Sequence, residues 1–284
     1  MQEAIKKADV LIEALPYIKR FHKKIVVIKY GGSILGEERI RRSVLEDIVF
    51  LSFMGMKVIL VHGGGPNISD RMRTKGKSAE FIEGMRVTDN ETLRVVQEEL
   101  NKLNDLIVDE INQLGGNAEG FNGKDNQLIQ SKKKKARIDL GMVGEIVGIN
   151  QEFLVSKLKK DAVLVICPMS MGIDNKVYNV NADEAAAWIS AVREAEKFVL
   201  LTNVRGIMRN AEDPNSFLSS LTVSEAKNLI KDKVIQEGMI PKVDACVLAL
   251  DKGVKKAHII DARIPHALLL EIFTDTGIGT EIIK

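Results

Sequence analysis

The order of apolar and polar positions along the chain predicts strands that alternate with helices. Short apolar runs rich in β-branched residues span 25–30, 57–62, 163–167, 198–202 and 257–261. Stretches with helical spacing cover about 37–54, 182–195 and 240–251. Alternation of this kind is typical of a sheet covered by helices on both faces. We therefore predict an α/β fold, a three-layer αβα sandwich around a central, mainly parallel open sheet.

An amphipathic helix is predicted ahead of the first strand. Its apolar positions recur at helical spacing and are Ile5, Ala8, Leu11, Ile12, Leu15 and Ile18. Pro16 lies inside this helix and predicts a kink or a break, because proline has no N–H to donate. The apolar stripe needs a cover, and the sequence is equally compatible with the chain's own domain and with a second subunit.

The middle of the chain departs from the alternating pattern. Residues 118–130 carry the turn sequence Asn-Gly-Lys-Asp between two short alternating segments, which predicts a β-hairpin beside the main sheet. A run of four lysines, 132–135, lies just beyond it, and we interpret it as a solvated loop in preference to an anion patch. Neither a low-complexity linker nor a repeat divides the chain.

Composition excludes several classes of protein. The 284 residues carry 41 basic and 39 acidic side chains, a net charge of +2 that predicts no nucleic-acid partner. No run of eighteen apolar residues occurs, so no membrane-spanning helix is expected. The two cysteines, Cys167 and Cys246, have neither disulfide-rich nor zinc-site spacing, which favours a reducing cytoplasm.

Glycines follow two predicted strands where parallel sheets bind ligands. Gly31-Gly32 follows the first strand, and Gly63-Gly64-Gly65 follows the second. Without a Cβ, such turns let a phosphate approach backbone N–H groups and helix N-termini. Neither turn has the spacing of a P-loop or of a dinucleotide fingerprint, so those two sites are not predicted.

Two lysines adjoin such turns. Lys29 ends the first strand directly before Tyr30 and Gly31, and Lys242 opens a helix whose dipole attracts anions. A strand-end lysine can also snorkel to solvent, and a lysine such as Lys242 can be ordinary surface. Each lysine alone is therefore weak evidence for an anion site.

Two further polar segments accompany the lysines. Residues 179–183, Asn-Val-Asn-Ala-Asp, open an alanine-rich helix. Helix capping by Asn181 or Asp183 explains one polar residue there but not all three. Residues 84–89, Gly-Met-Arg-Val-Thr-Asp, offer Arg86 as a bidentate clamp for a carboxylate, with Thr88 or Asp89 as a helix cap.

Together these segments resemble the amino acid kinase family. In the family's order they are Lys29-Tyr30-Gly31-Gly32, His62-Gly63-Gly64-Gly65-Pro66, Gly84-Met85-Arg86-Val87-Thr88-Asp89, Asn179-Val180-Asn181-Ala182-Asp183 and Gly238-Met239-Ile240-Pro241-Lys242. The resemblance extends over essentially the whole chain and is strongest to members that act on N-acetyl-L-glutamate. It implies phosphorylation of the γ-carboxylate by ATP in arginine biosynthesis, with Mg²⁺ supplied as MgATP.

The resemblance also implies an organisation and a set of roles. Residues 1–24 would form a kinked N-terminal helix, 25–178 a lobe for N-acetyl-L-glutamate and 179–284 a lobe for ATP. The implied catalytic residues are Lys29, Lys242 and Asp183, and the implied substrate-binding residues are Gly64, Gly65, Arg86 and Asn179. The implied ATP-binding residues are Gly31, Gly32, Thr202, Asn203, Val204, Gly206, Ile207 and Met239. Relatives usually have aspartate where this chain has Asn203.

The first helix and residues 271–280 resemble the branch of the family that L-arginine inhibits. That resemblance implies a homo-hexamer built as a trimer of dimers, with the first helices interlacing the dimers, and a PII-type regulator as a further partner. It implies an arginine site between this helix and the C-terminal lobe. The residues implied to line the site are Tyr17, Lys197, Glu271 and Gly277.

Three alternatives stay open beside this interpretation. Another carboxylate or carbamate kinase of the same fold would share the glycine turns and the lysines but would not need Arg86 beside Asn179. A nucleotide-binding oxidoreductase is disfavoured, since no acidic residue follows a dinucleotide fingerprint. The third alternative, a non-catalytic arginine-sensing protein, is supported by Asn203 alone.

Overall fold

The computed structural model describes residues 1–82, 84–192, 194–210, 212–236, 238–274 and 277–284. Its helices are α1 (Gln2–Phe21), α2 (Gly32–Leu35), α3 (Glu38–Phe53), α4 (Gly65–Thr74), α5 (Asn90–Gln113), α6 (Gln151–Leu158), α7 (Ala182–Val192), α8 (Val223–Lys231), α9 (Ile240–Asp251) and α10 (Ala267–Ile272). Its strands are β1 (Ile25–Tyr30), β2 (Lys57–His62), β3 (Phe81–Ile82), β4 (Met85–Arg86), β5 (Ala118–Asn122), β6 (Ile129–Lys133), β7 (Gly144–Ile149), β8 (Val163–Cys167), β9 (Met169–Gly172), β10 (Val177–Asn179), β11 (Lys197–Thr202), β12 (Ile207–Met208), β13 (Phe217–Leu218), β14 (Ser220–Thr222), β15 (Ala257–Asp261) and β16 (Thr280–Ile283).

The central sheet joins eight of these strands in the order β14-β16-β15-β11-β1-β2-β8-β5. Neighbouring strands run parallel except β15 and β16, which are antiparallel. This arrangement confirms the predicted α/β fold with a mainly parallel sheet. None of the described helices is long and apolar enough to cross a membrane.

Two hydrophobic cores cover the two faces of the sheet. Val26 and Ile28 of β1 pack with apolar residues of α3, α5 and α10, whereas Val27 packs with those of α7 and α9. Successive residues of a strand point to opposite faces. Lys29 therefore follows Val27 to the face that α7 covers, and β1 directs a lysine toward the start of that helix.

The predicted hairpin at 118–130 is wrong. β5 is an edge strand of the central sheet and runs parallel to β8, whereas β6 belongs to a separate four-stranded sheet of order β10-β9-β6-β7. The Gly123 N–H donates to the carbonyl oxygen of Cys167 and extends the parallel ladder. Asn126 and Gln127 then take positive φ angles of 50° and 52° and turn the chain into the second sheet. The turn sequence thus connects two sheets.

Helix α1 runs through Pro16, so the predicted break does not occur. Its C-terminal end packs on the rest of the chain, where Phe21 is buried and the Tyr17 ring lies 6.1 Å from the Phe273 ring. Further toward the N-terminus, Leu11 and Ile12 are 67% and 68% exposed. Within the described part of the chain, its own domain leaves most of the apolar stripe uncovered.

Candidate active site

Lys29 and Asp183 form a buried ion pair at the carboxyl ends of the central strands. Lys29 lies in register with Val61 of β2 and Leu200 of β11. Its Nζ is 2.8 Å from Oδ1 of Asp183, in the first turn of α7, and the two side chains are 10% and 9% exposed. Oδ1 accepts no well-aligned hydrogen bond from the described residues. The contact is a close charge–charge interaction, and because an ammonium group has three N–H donors, Lys29 has donors left for a ligand.

Lys242 approaches the same carboxylate from α9. Its Nζ lies 3.7 Å from Oδ2 of Asp183 and 3.5 Å from the carbonyl oxygen of Gly238. Burial raises the pKa of Asp183, but Lys29 and Lys242 together outweigh that effect and hold the pKa below its usual value. Asp183 is therefore ionised at neutral pH. One carboxylate orients two ammonium groups that come from distant parts of the sequence.

The two glycine turns pack against each other beside Lys29. A Cβ at Gly32 would lie 2.8 Å from the backbone nitrogen of Gly65 and 2.9 Å from that of Gly64, which leaves no room for a side chain. Within the described residues, neither of these two N–H groups donates to a backbone carbonyl. They lie at the start of α4, where the helix dipole also favours an anion. These two packed turns, which we call the glycine cradle, therefore fit a carboxylate or phosphate oxygen.

His62 contacts the backbone of the second glycine turn. It is fully buried, its Nδ1 lies 3.1 Å from the carbonyl oxygen of Gly63, and its Nε2 lies 3.1 Å from Nδ2 of Asn104. Nδ1 must carry the proton for both contacts to be hydrogen bonds. Burial lowers the pKa of His62 to about 4, so the ring is neutral at physiological pH. The role of His62 could not be predicted from the sequence, because it depends on a tertiary contact with Asn104 of α5.

The buried His62 predicts a pH-dependent stability. Between its ordinary pKa of 6.5 and about 4, the unfolded chain binds more protons than the folded chain, so the free energy of unfolding falls as the pH falls. From about pH 7.5 to about pH 5 we expect His62 to account for a loss of about 2 kcal/mol. Urea unfolding of the wild type and of His62→Gln at both pH values measures it.

The comparison between the two proteins isolates His62 from other groups. Burial raises the pKa of Asp47 to about 6, and this shift changes stability in the opposite direction over part of the same range. Asp47 is present in both proteins and its effect cancels. If the wild type and His62→Gln lose equal stability on acidification, His62 does not have this role.

Arg86 is a buried cation that forms no ion pair with a carboxylate of the described residues. Its side chain donates to the carbonyl oxygen of Gly65 at 2.9 Å, to Oγ of Ser69 at 2.7 Å and to the sulfur of Met72 at 3.2 Å. Its guanidinium carbon lies 4.6 Å from the centre of the Phe81 ring. Burial lowers its pKa, yet no carboxylate of the described residues pairs with it. A buried charge needs a counter-ion, which a bound anion can supply.

A cavity of about 260 Å³ connects these groups. Its lining includes Lys29, Gly32, Gly63, Gly64, Gly65, Arg86, Asn179 and Asn181. The Asn179 amide lies 3.4 Å from Oγ1 of Thr88, next to the arginine segment. Asn181 caps α7 by accepting from the N–H groups of Asp183 and Glu184, and Asp89 caps α5 by accepting from Thr92. Capping thus accounts for Asn181 and leaves Asn179 and Asp183 to line or complete the site.

A second cavity, of about 730 Å³, is lined by Lys242. It brings together five of the predicted ATP-binding residues, Asn203, Val204, Gly206, Ile207 and Met239. Gly206 has a φ of 148°, and a Cβ there would lie 2.5 Å from Oγ1 of Thr280. Thr202 does not line this cavity: its hydroxyl accepts from the Val204 N–H and lies 3.2 Å from the Ile260 carbonyl, so it holds the turn. Gly31 lines neither cavity.

The residues predicted to bind arginine cluster where α1 meets α10. Lys197 donates to the carbonyl oxygen of Glu271 at 3.2 Å, and both side chains are buried. The Glu271 carboxylate accepts from the N–H groups of Ile278 and Gly279 and lies 2.6 Å from Nδ1 of His258, which sequence analysis missed. The carboxylate is therefore engaged within the protein. Two residues of the predicted tail, 275 and 276, lie outside the described residues.

A cavity of about 650 Å³ adjoins this cluster. Tyr17 and Phe273 line it together with residues of α1, and Lys197, Glu271 and Gly277 do not. Of the four residues predicted to bind arginine, only Tyr17 faces this opening. A Cβ at Gly277 would lie 2.7 Å from Oε1 of Glu271, so this glycine permits the close approach of the tail to the carboxylate.

Comparison with known proteins identifies relatives over the whole chain. A sequence model of the amino acid kinase family matches residues 24–261. The chain is 47% identical to an acetylglutamate kinase of Petrotoga mobilis over 283 residues, which are 99% of this chain and 95% of that protein. It is 48% identical to an acetylglutamate kinase of Thermoanaerobacter pseudethanolicus with the same coverage.

Solved structures agree in fold. An N-acetylglutamate synthase of Neisseria gonorrhoeae, crystallised with coenzyme A and N-acetyl-glutamate, has a TM-score of 0.86 and 24% sequence identity. The match covers 96% of this chain and 62% of that longer protein. At this identity the likeness concerns the fold alone.

Proposed function

Because the chain belongs to the amino acid kinase family, we propose that it transfers the terminal phosphoryl group of ATP to the γ-carboxylate of N-acetyl-L-glutamate. The product is N-acetyl-L-glutamyl 5-phosphate, an intermediate of arginine biosynthesis. The two relatives named acetylglutamate kinase support this assignment at 47% and 48% identity. Its main structural support is the buried Arg86, which pairs with no carboxylate of the described residues and lies at a cavity that Lys29 also lines. An acceptor with an α-carboxylate in addition to the reacting γ-carboxylate supplies an anion for Arg86.

In this proposal Arg86 and Asn179 bind the α-carboxylate, and the N–H groups of Gly64 and Gly65 bind the γ-carboxylate. The guanidinium presents a planar set of donors that matches a carboxylate. The γ-carboxylate is already ionised at neutral pH and attacks phosphorus directly, so the reaction needs no general base. The protein contributes alignment of the two substrates and stabilisation of charge.

Lys29 and Lys242 stabilise the negative charge of the transferring phosphoryl group. Asp183 holds both ammonium groups in place and offsets their mutual repulsion. The glycine cradle, in which a Cβ at Gly32 would meet two backbone nitrogens, suits an oxygen-rich group. Mg²⁺ arrives on the ATP phosphates and neutralises part of their charge. The described residues contain no cluster of three metal-binding side chains that would hold a metal separately.

ATP binds in the second cavity, which Lys242 also lines. Asn203, Val204, Gly206, Ile207 and Met239 surround the nucleotide, and Thr202 keeps their turn in shape. The Asn203 amide both donates and accepts hydrogen bonds, which an aspartate in the same position cannot do at neutral pH. A cytoplasmic location is consistent with the two cysteines, which are free and buried.

We include regulation by L-arginine in the proposal, with a hexamer built as a trimer of dimers and a PII-type partner. The exposed apolar face of α1 supports an interface with a second copy, because Leu11 and Ile12 are 67% and 68% exposed on the single chain. The arginine site lies between α1 and the cluster of Lys197, Glu271 and Gly277, beside the cavity that Tyr17 lines.

An acceptor panel tests the proposed reaction. ADP release is measured with N-acetyl-L-glutamate, with N-acetyl-L-aspartate, which is one methylene shorter, with L-glutamate and with carbamate. The proposal expects the first acceptor to have a kcat/KM at least tenfold above each of the others, since one methylene alone changes such ratios by about 10-fold or more. A preference for carbamate or for another carboxylate would favour a different kinase of the same fold.

L-Arginine is expected to inhibit the hexamer, and D-arginine is not. Leu11→Glu places a charge on the exposed face of α1 and should dissociate the hexamer to dimers in light-scattering measurements, since burying an unpaired charge is costly. Asp9→Asn, also exposed on α1, is the control. A wild-type dimer that L-arginine does not affect would remove the regulatory part of the proposal and leave the catalytic part standing.

A further inference from the structure

One residue of the four-lysine run differs from its neighbours. Lys132 and Lys133 form ion pairs with Glu145 at 3.2 Å and with Asp139 at 2.9 Å. Lys134 forms no ion pair with a carboxylate of the described residues and is half-buried, whereas Lys135 is exposed. Lys134 lines the cavity of about 260 Å³ that also contains Arg86, which we call the acceptor cavity. The interpretation of the whole run as a solvated loop therefore does not hold for Lys134.

The backbone fixes Lys134 beside the substrate groups. Its N–H donates to the carbonyl oxygen of Val143 at 2.8 Å. Val143 in turn forms a bridge with Asn179, and both residues line the same cavity as Arg86. Two successive backbone contacts thus connect Lys134 to Asn179 of the acceptor site. The run of four lysines in the sequence does not indicate this position.

The charge of Lys134 also acts on the cavity. Glu184 follows Asp183 in the first turn of α7 and lines the cavity. Burial raises the pKa of Glu184, and Lys134 is the largest opposing influence on it. Glu145 adds to the rise in the pKa, while Ile146 and Trp188 oppose it. Because Lys134 and Glu184 line the same cavity, an anion bound there meets the charge of Lys134.

We propose that Lys134 is an acceptor-binding residue whose ammonium group binds a carboxylate of the bound acceptor. This inference rests on the proposed function, since it names a second cation for the same acceptor beside Arg86. A cation that interacts with the acceptor equally in the ground state and the transition state lowers KM without changing kcat. The role is thus one of binding, separate from the chemistry of Lys29 and Lys242.

Steady-state kinetics of Lys134→Met and Lys135→Met test the proposal. Methionine retains much of the side-chain length and removes the charge, and Lys135 is the matched exposed neighbour. We expect Lys134→Met to raise the KM for N-acetyl-L-glutamate at least tenfold, with kcat and the KM for ATP changed less than about threefold. Lys135→Met should match the wild type, and Lys134→Arg should recover part of the loss.

Lysine labelling of the wild-type protein provides a second measurement that does not depend on folding of a variant. Acetic anhydride modifies accessible lysines, and peptide mass spectrometry locates the acetyl groups. N-Acetyl-L-glutamate at saturating concentration should protect Lys134 at least fivefold and leave Lys132, Lys133 and Lys135 unprotected. Protection by ATP alone, or equal labelling with and without acceptor, would overturn the proposal.

Failure of this inference can be distinguished from failure of the proposed function. A wild type that phosphorylates N-acetyl-L-glutamate, together with Lys134→Met equal to Lys135→Met, overturns the role of Lys134 alone. A wild type that neither binds nor phosphorylates this acceptor overturns both.

Discussion

Replacing Lys29 with methionine should lower kcat about a hundredfold or more. Lys29 is one of two ammonium groups that Asp183 holds at the carboxyl ends of the strands, at 2.8 Å from Oδ1. Loss of one preorganised donor to a developing oxyanion typically costs about 10²- to 10³-fold in rate. The variant still has Lys242 at 3.7 Å from Asp183, so the carboxylate keeps a partner. Initial rates at saturating ATP and acceptor measure the effect.

Lys57→Met is the matched control for that experiment. Lys57 begins β2, the strand beside β1, and pairs with the exposed Asp161 at the opposite end of the sheet. Its loss should change kcat less than about twofold, because exposed ion pairs contribute little and it lies far from the reaction. If Lys29→Met retains more than a tenth of the wild-type rate, Lys29 does not stabilise the transferring group.

Arg86→Lys should raise the KM for N-acetyl-L-glutamate by about 10- to 100-fold. Lysine retains the charge but loses the planar set of donors, and charge-assisted hydrogen bonds contribute about 1.5–3 kcal/mol. The KM for ATP should change little, since Arg86 lies on the acceptor cavity and not on the cavity that holds Asn203. Separate titrations of acceptor and ATP distinguish the two constants.

Arg73→Lys controls for arginine replacement as such. Arg73 is near the C-terminal end of α4, is 79% exposed and pairs with Asp70 in the same helix. We expect its kinetic constants to equal those of the wild type. An Arg86→Lys enzyme with an unchanged KM for the acceptor would show that the α-carboxylate binds elsewhere.

Hydrophobic patterning predicted the strands at the centre of the fold accurately. β1, β2, β8 and β15 have the predicted bounds. Each is a short apolar run buried on both faces, and a glycine or another turn residue ends several of them, so local sequence and tertiary environment agree. The position of Lys29 at a strand end followed from the same pattern.

Features that depend on long-range contacts could not be predicted in this way. The hairpin at 118–130 was wrong because the turn sequence is the same whether the following strand returns to its own sheet or enters another. The convergence of Lys29 and Lys242 depends on Asp183 of α7 packing between them. The cavity position of Lys134 depends on a backbone contact with Val143. None of these contacts leaves a periodic signal.

The sequence pattern predicts the regulatory features less completely than the catalytic residues. The pattern predicted the first helix but expected a kink or break at Pro16, and the helix runs through it. Pro16 lies near the C-terminal end, where Phe21 packs on the domain. The sequence of one chain does not determine which copy covers the exposed apolar stripe, because that depends on the assembly. The interactions with L-arginine and with a PII-type partner therefore stay predictions.

Trapping of the product with hydroxylamine tests the central claim most directly. Hydroxylamine converts an acyl phosphate to a stable hydroxamate, which mass spectrometry identifies and locates on the α- or γ-carboxyl. With N-acetyl-L-glutamate, ATP and Mg²⁺, the account predicts the γ-hydroxamate in amounts equal to the ADP released, and almost none from Lys29→Met. ADP release without hydroxamate, or no product at any acceptor concentration, would contradict phosphorylation of the γ-carboxylate.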